Sequence, residues 1–94
     1  MAQYKIAHLR QQGQDMIIIP LDSNFEHKTS AAQQEIITSL QLCAQSAGLA
    51  GRVVPVWRVG SSHKYIAPQP WQPFFRSLSW NAILANLNKT LTCG

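Results

Sequence analysis

Ninety-four residues, 46% hydrophobic and 13% charged with a formal net charge of +4, suffice for one domain over residues 1–94 and are too few for two. That balance excludes a disordered chain, which would be rich in charge and poor in apolar residues. The longest apolar run, residues 16–19, is far too short to cross a bilayer as a helix. The basic residues occur singly along the chain, whereas a nucleic-acid binder usually gathers them to neutralise several phosphates together. With so few charges the surface relies on Gln, Ser, Asn and Thr for its hydration, which favours association with other molecules. No basic-then-apolar leader opens the chain, so the expected location is cytoplasmic.

Residues 4–10 alternate, with Tyr4, Ile6 and His8 on one side and Lys5, Ala7 and Leu9 on the other. Residues 15–21 form a β-branched apolar run, and Gly13 between the two supplies the positive φ of a tight turn, so a β-hairpin is expected. A short helix over residues 4–12 is the alternative. Residues 22–28 read as a polar connection around Phe25. From Ser30 a helix is expected, with Gln33 at the capping-box spacing and Ile36, Leu40, Cys43, Ala44 and Ala47 forming its apolar stripe. Gln34, Thr38, Gln41 and Gln45 lie away from that stripe, and Gly48 ends the helix.

Residues 52–58 are a second β-branched run, and Pro55 within it predicts an edge or bulged strand, because proline has no N–H for the ladder. Residues 63–67 return as a short strand after a turn at Gly60-Ser61-Ser62. Residues 68–73 hold Pro68, Pro70 and Pro73, which predicts a non-helical path. A final helix follows, capped by Ser77 or Ser79, with Trp80, Ile83, Leu84, Leu87 and Leu91 as its stripe. The order is thus ββαββα. Each helix has one stripe to bury, so the expected fold is α+β, a two-layer sandwich with both helices on one face of a small mixed sheet of about four strands. If the second and third strands are neighbours across the first helix, they run parallel.

Chemistry-bearing residues are few. Cys43 and Cys93 are far apart, with no CxxC; a buried thiol and a free tail thiol are expected, a disulfide being the alternative. Asp22 with Glu26-His27-Lys28 has the residue types of a metal-dependent nuclease site, but no second strand separates them to bring the acids and lysine together. His8, His27 and His63 show no metal-ligand spacing, no Gly-rich phosphate loop exists, and Asn88-Lys89-Thr90 is a glycosylation triplet placed in a helix. No metal, cofactor or catalytic set is expected.

The segment 67–75 stands out. Its prolines favour an extended path, and Trp71, Phe74 and Phe75 beside Pro70 carry large apolar area. Either these aromatics close the core or they form a partner-binding or self-association surface. Arg58, Lys64 and Arg76 flank the segment, which makes a single-stranded nucleic acid the rival partner. The sequence reads as a non-enzymatic protein-interaction module, with a weakly basic nucleic-acid-binding domain and a small enzyme near Asp22 and Glu26 as the other readings.

Overall fold

The computed structural model describes residues 2–11 and 13–93. The hairpin expected around Gly13 is present: β1 (Ala2–Gln11) and β2 (Gln14–Leu21) pair antiparallel from Gln11↔Gln14 to Ala7↔Ile18, and Gly13 turns the chain at φ 77. After Asp22 the connection winds into a 3₁₀ turn, Ser23–His27, which buries Phe25. Helix α1 (Ser30–Ser46) begins one residue earlier than the capping-box spacing implies, because Thr29 is the cap and its hydroxyl accepts from the Ala32 N–H at 3.2 Å. The chain then enters β3 (Arg52–Val59) and returns as β4 (Ser62–Tyr65).

The sheet order is β4-β3-β2-β1-β5, mixed, with β2 and β3 parallel across α1 and the other pairs antiparallel. Pro55 is therefore not on an edge strand; it pairs with Ile19 inside the sheet. Its missing N–H points instead toward the end of β4. There Ile66 donates to the Pro55 carbonyl at 3.1 Å and nothing is returned, so the ladder stops at Val56↔Tyr65.

Three sequence expectations fail after β4. The Pro-rich stretch is partly helical: a 3₁₀ turn, Gln69–Trp71, runs into α2 (Gln72–Ser77). Pro73 falls in the first turn of α2, where no intrahelical N–H is required. The last helix, α3 (Trp80–Ala85), capped by the Ser79 hydroxyl on the Ala82 N–H, is short. Leu91 leaves it for a fifth strand, β5 (Lys89–Cys93), which pairs antiparallel with β1. Thr90-Leu91-Thr92 alternates as a strand should, and the unpaired edge of β1 supplies the partner. Asn88 is thereby placed before a strand and not in a helix; its side-chain amide accepts from the His8 N–H at 2.9 Å and donates to the His8 carbonyl at 3.1 Å.

The larger correction concerns layers. Ile6, Ile17, Ile19, Val53 and Leu91 pack with Leu40 and Ala44 of α1, while Ala7, Met16, Ile18, Val54 and Val56 pack with Phe75 of α2 and Ile83 of α3. The helices thus cover opposite faces, giving three layers and not two. Successive residues of a strand point to opposite faces. The unbroken runs Met16–Ile19 and Val53–Val54 mark central strands buried on both sides. Cys43 of α1 and Cys93 of β5 form a disulfide with Cα atoms 5.7 Å apart, which overturns the expectation of two free thiols.

Candidate functional site

Phe75 seats the Pro/aromatic segment. It is fully buried, in tilted contact with Tyr65 at 5.5 Å and edge-to-face with Phe74 at 5.2 Å. The 3₁₀ turn upstream is closed by the Trp71 N–H donating to the Pro68 carbonyl at 2.9 Å. Trp71 and Phe74 are half-buried and pack on the same cluster, and Pro70 is exposed. Of the two readings of this segment, core closure describes Phe75, while Trp71 also lines a cleft.

That cleft, about 710 Å³, is bounded on one side by Pro68, Pro70 and Trp71 and on the other by Gly13, Gln14, Asp15, Gly51 and Arg52. Its far wall follows from register. Met16 pairs with Arg52, so the β1–β2 turn and the approach to β3 run side by side. They touch at Gly51, where φ is +118 and a Cβ would sit 2.6 Å from the Asp15 carbonyl oxygen. Only a residue without a side chain allows this approach. Gln41 holds the same junction from α1, donating to the Gly51 carbonyl at 3.0 Å and accepting from the Val53 N–H at 2.8 Å.

Asp15 and Arg52 both line the cleft and carry opposite charges; strand alternation directs Asp15 to the α1 face with Ile17 and Arg52 to the other face with Val54. The ion pair found among the described residues is elsewhere, Lys64 with Glu26 at 2.9 Å. Nothing in the sequence marked Asp15, Gln14 or Arg52 as a set. The usable signal was positional: Arg52, and Gln14 with Asp15 as a pair, stand between a glycine and an apolar strand run.

The other candidate residues are distributed differently. Arg58 and Lys64 point to opposite faces, since Lys64 is register partner to Trp57 and Arg58 to His63; Arg76 is exposed near the end of α2. The three do not form one basic surface. Glu26 has both oxygens occupied, one by the Trp57 indole N–H and one by the Lys64 ammonium, each at 2.9 Å. Those two hydrogen bonds, the indole's first, hold its carboxyl below the usual glutamate range. Asp22 accepts from the Asn24 N–H at 2.9 Å, a local side-chain-to-backbone hydrogen bond of the turn. His8 bonds the Ala50 carbonyl at 2.8 Å, on the face opposite His63, which lies between Tyr65 and Trp80. Among the described residues no group of His, Cys, Asp or Glu is gathered closely enough to hold a metal ion, and no helix is long and apolar enough to cross a membrane.

No family model, curated protein or solved structure matches this chain.

Proposed function

We propose that the protein is a non-enzymatic interaction module whose cleft between the Pro68–Trp71 wall and the Asp15–Arg52 wall takes an extended segment of a partner protein. The supporting observation is a cleft lined by Trp71 and Pro70 on one side and by the oppositely charged residues Asp15 and Arg52 on the other. The cleft volume falls in the usual range of binding pockets, roughly 300–1,000 Å³. Trp71 offers a broad apolar face at small entropic cost, and the prolines beside it are conformationally fixed already. Asp15 and Arg52 set direction by pairing with opposite charges on the segment. The Cys43–Cys93 disulfide favours an oxidising compartment over the cytoplasm as the site of action.

The test is selection from a displayed library of unstructured peptides, followed by affinity measurement on variants. Arg52→Ala and Trp71→Ala should each weaken the selected peptides about tenfold or more. Arg52 is exposed, so its variant should keep the parent's thermal midpoint. A library yielding no binder, or binders indifferent to both substitutions, would remove this reading. Oligonucleotide titration at two salt concentrations addresses the nucleic-acid reading, whose electrostatic affinity would fall steeply with salt.

A further inference from the structure

The Cys43–Cys93 disulfide joins two elements that are held very differently. Helix α1 spans 17 residues and sets Leu40 and Ala44 into the core. Strand β5 has five residues, pairs with β1 alone among the described strands, and buries one side chain, Leu91. Two pins keep it in place. At its start the Asn88 N–H donates to the Ile6 carbonyl at 2.9 Å, and the Asn88 side-chain amide spans the His8 backbone. At its far end Cys93, register partner of Ala2, is tied to Cys43. Between the pins stand a one-sided ladder and a single leucine, and an element so sparsely held opens well below the cost of global unfolding.

The covalent pin is within reach of solvent. Cys43 and Cys93 are half-buried. Cys93 lines two surface grooves, one of about 440 Å³ shared with Cys43, Leu42 and Thr92, and one of about 280 Å³ shared with Tyr4 and Glu35. Thiol–disulfide exchange requires a thiolate to approach a sulfur, and accessible bonds are the ones that exchange.

We propose that the Cys43–Cys93 bond is a redox latch on β5. Closed, it keeps the strand on β1; opened by a dithiol, it frees the strand from the Cys93 end and uncovers the β1 edge over Ala2–Ile6. A thiolate of the dithiol attacks the Cys93 sulfur, the S–S bond breaks, and Cys43 leaves as a thiolate that takes up a proton. The second thiolate of the reductant then attacks its own sulfur in the mixed disulfide. Cys93 leaves and is protonated, and the reductant ends as a disulfide, having passed two electrons to the protein. The centre of the sheet stays folded, because Ile17, Ile19 and Val53 remain packed on α1 and the opposite core contains no β5 residue.

The test is hydrogen exchange on the whole chain in native buffer, with and without dithiothreitol, and again after reoxidation with oxidised glutathione. Dithiothreitol should reduce the bond without denaturant. The β5 amides should then exchange about tenfold faster or more, while those of β2 and β3 keep their protection, and reoxidation should restore the first pattern. The Cys43→Ser, Cys93→Ser double variant should show the open pattern at once and ignore the reductant. A bond reduced only in denaturant would overturn the proposal. So would β5 protection that survives reduction, β2 and β3 amides released together with β5, or a double variant that does not fold. The Trp71 cleft adjoins the Gln11–Gln14 end of β1, away from Cys93, and its peptide affinity is a separate measurement, so either idea can fail alone.

Discussion

At Gly51 two demands meet on one Cα: a backbone angle of φ +118 and a carbonyl oxygen lying 2.6 Å from where a Cβ would be. Alanine there must both strain the backbone and push the β1–β2 turn away from β3. The expected loss for Gly51→Ala is on the order of 2–3 kcal/mol, a fall of roughly 10 °C or more in thermal midpoint. A midpoint within a degree or two of the parent would mean that the two segments do not touch. Leu49-Ala50-Gly51 reads as plain linker in the sequence, because a close approach between segments distant along the chain leaves no local mark. Gln41 is similar: its spacing puts it off the apolar stripe of α1, and only the fold shows its amide spanning Gly51 and Val53. Glu26 carries a pH prediction. Its folded pKa lies below its unfolded value through the Trp57 and Lys64 hydrogen bonds, so its contribution is present above the ordinary glutamate range and fades as pH falls through the lowered folded value. In urea, Glu26→Gln should lower the midpoint at pH 7, and the gap to the parent should close in acid. A gap that widens on acidification contradicts the sign.

Among the elements, β5 shows how much a strand depends on its partners. Its five residues pair with β1 along one side only, and Leu91 reaches the core beneath α1. The disulfide closes a span of 50 residues between α1 and this strand, which in the chain-entropy view stabilises the fold by about 4 kcal/mol. Replacing Cys43 and Cys93 together with serine should cost a loss of that order, and β5 amides should exchange before those of β2 and β3. Equal unfolding midpoints for the two proteins would contradict the staple's role. The sequence showed α1, the hairpin and the β3–β4 return because each follows from local signals: helical spacing, a glycine turn and β-branched runs. It did not show β5, since Ile83, Leu87 and Leu91 keep helical spacing by coincidence, and only the open edge of β1 makes a strand of the last stretch. The prolines misled in the same way, for Pro73 in a first helical turn starts α2 instead of preventing it.

For the whole molecule, the decisive fact is that the sheet is covered twice. Leu40 and Ala44 of α1 lie on one side and Phe75 and Ile83 of α2 and α3 on the other, so the central residues of β2 and β3 are buried on both faces. The unbroken apolar runs in β2 and β3 carried this information; two helical stripes alone do not say which side each will find. Because α2 is seated by Phe75 on its own face, Trp71 is carried to the strand ends where the cleft forms. Leu40→Ala and Ile83→Ala should therefore each cost about 2–5 kcal/mol, as deletions from two separate cores; an inexpensive Ile83→Ala would mean that α3 is peripheral. The most direct test of the three-layer account is a methyl NOE map of the folded chain. Leu40 methyls should meet those of Ile17, Ile19 or Val53, and Ile83 methyls those of Ile18, Val54 or Val56, with no residue shared. Cross-peaks from both helices to one set of strand methyls would contradict it.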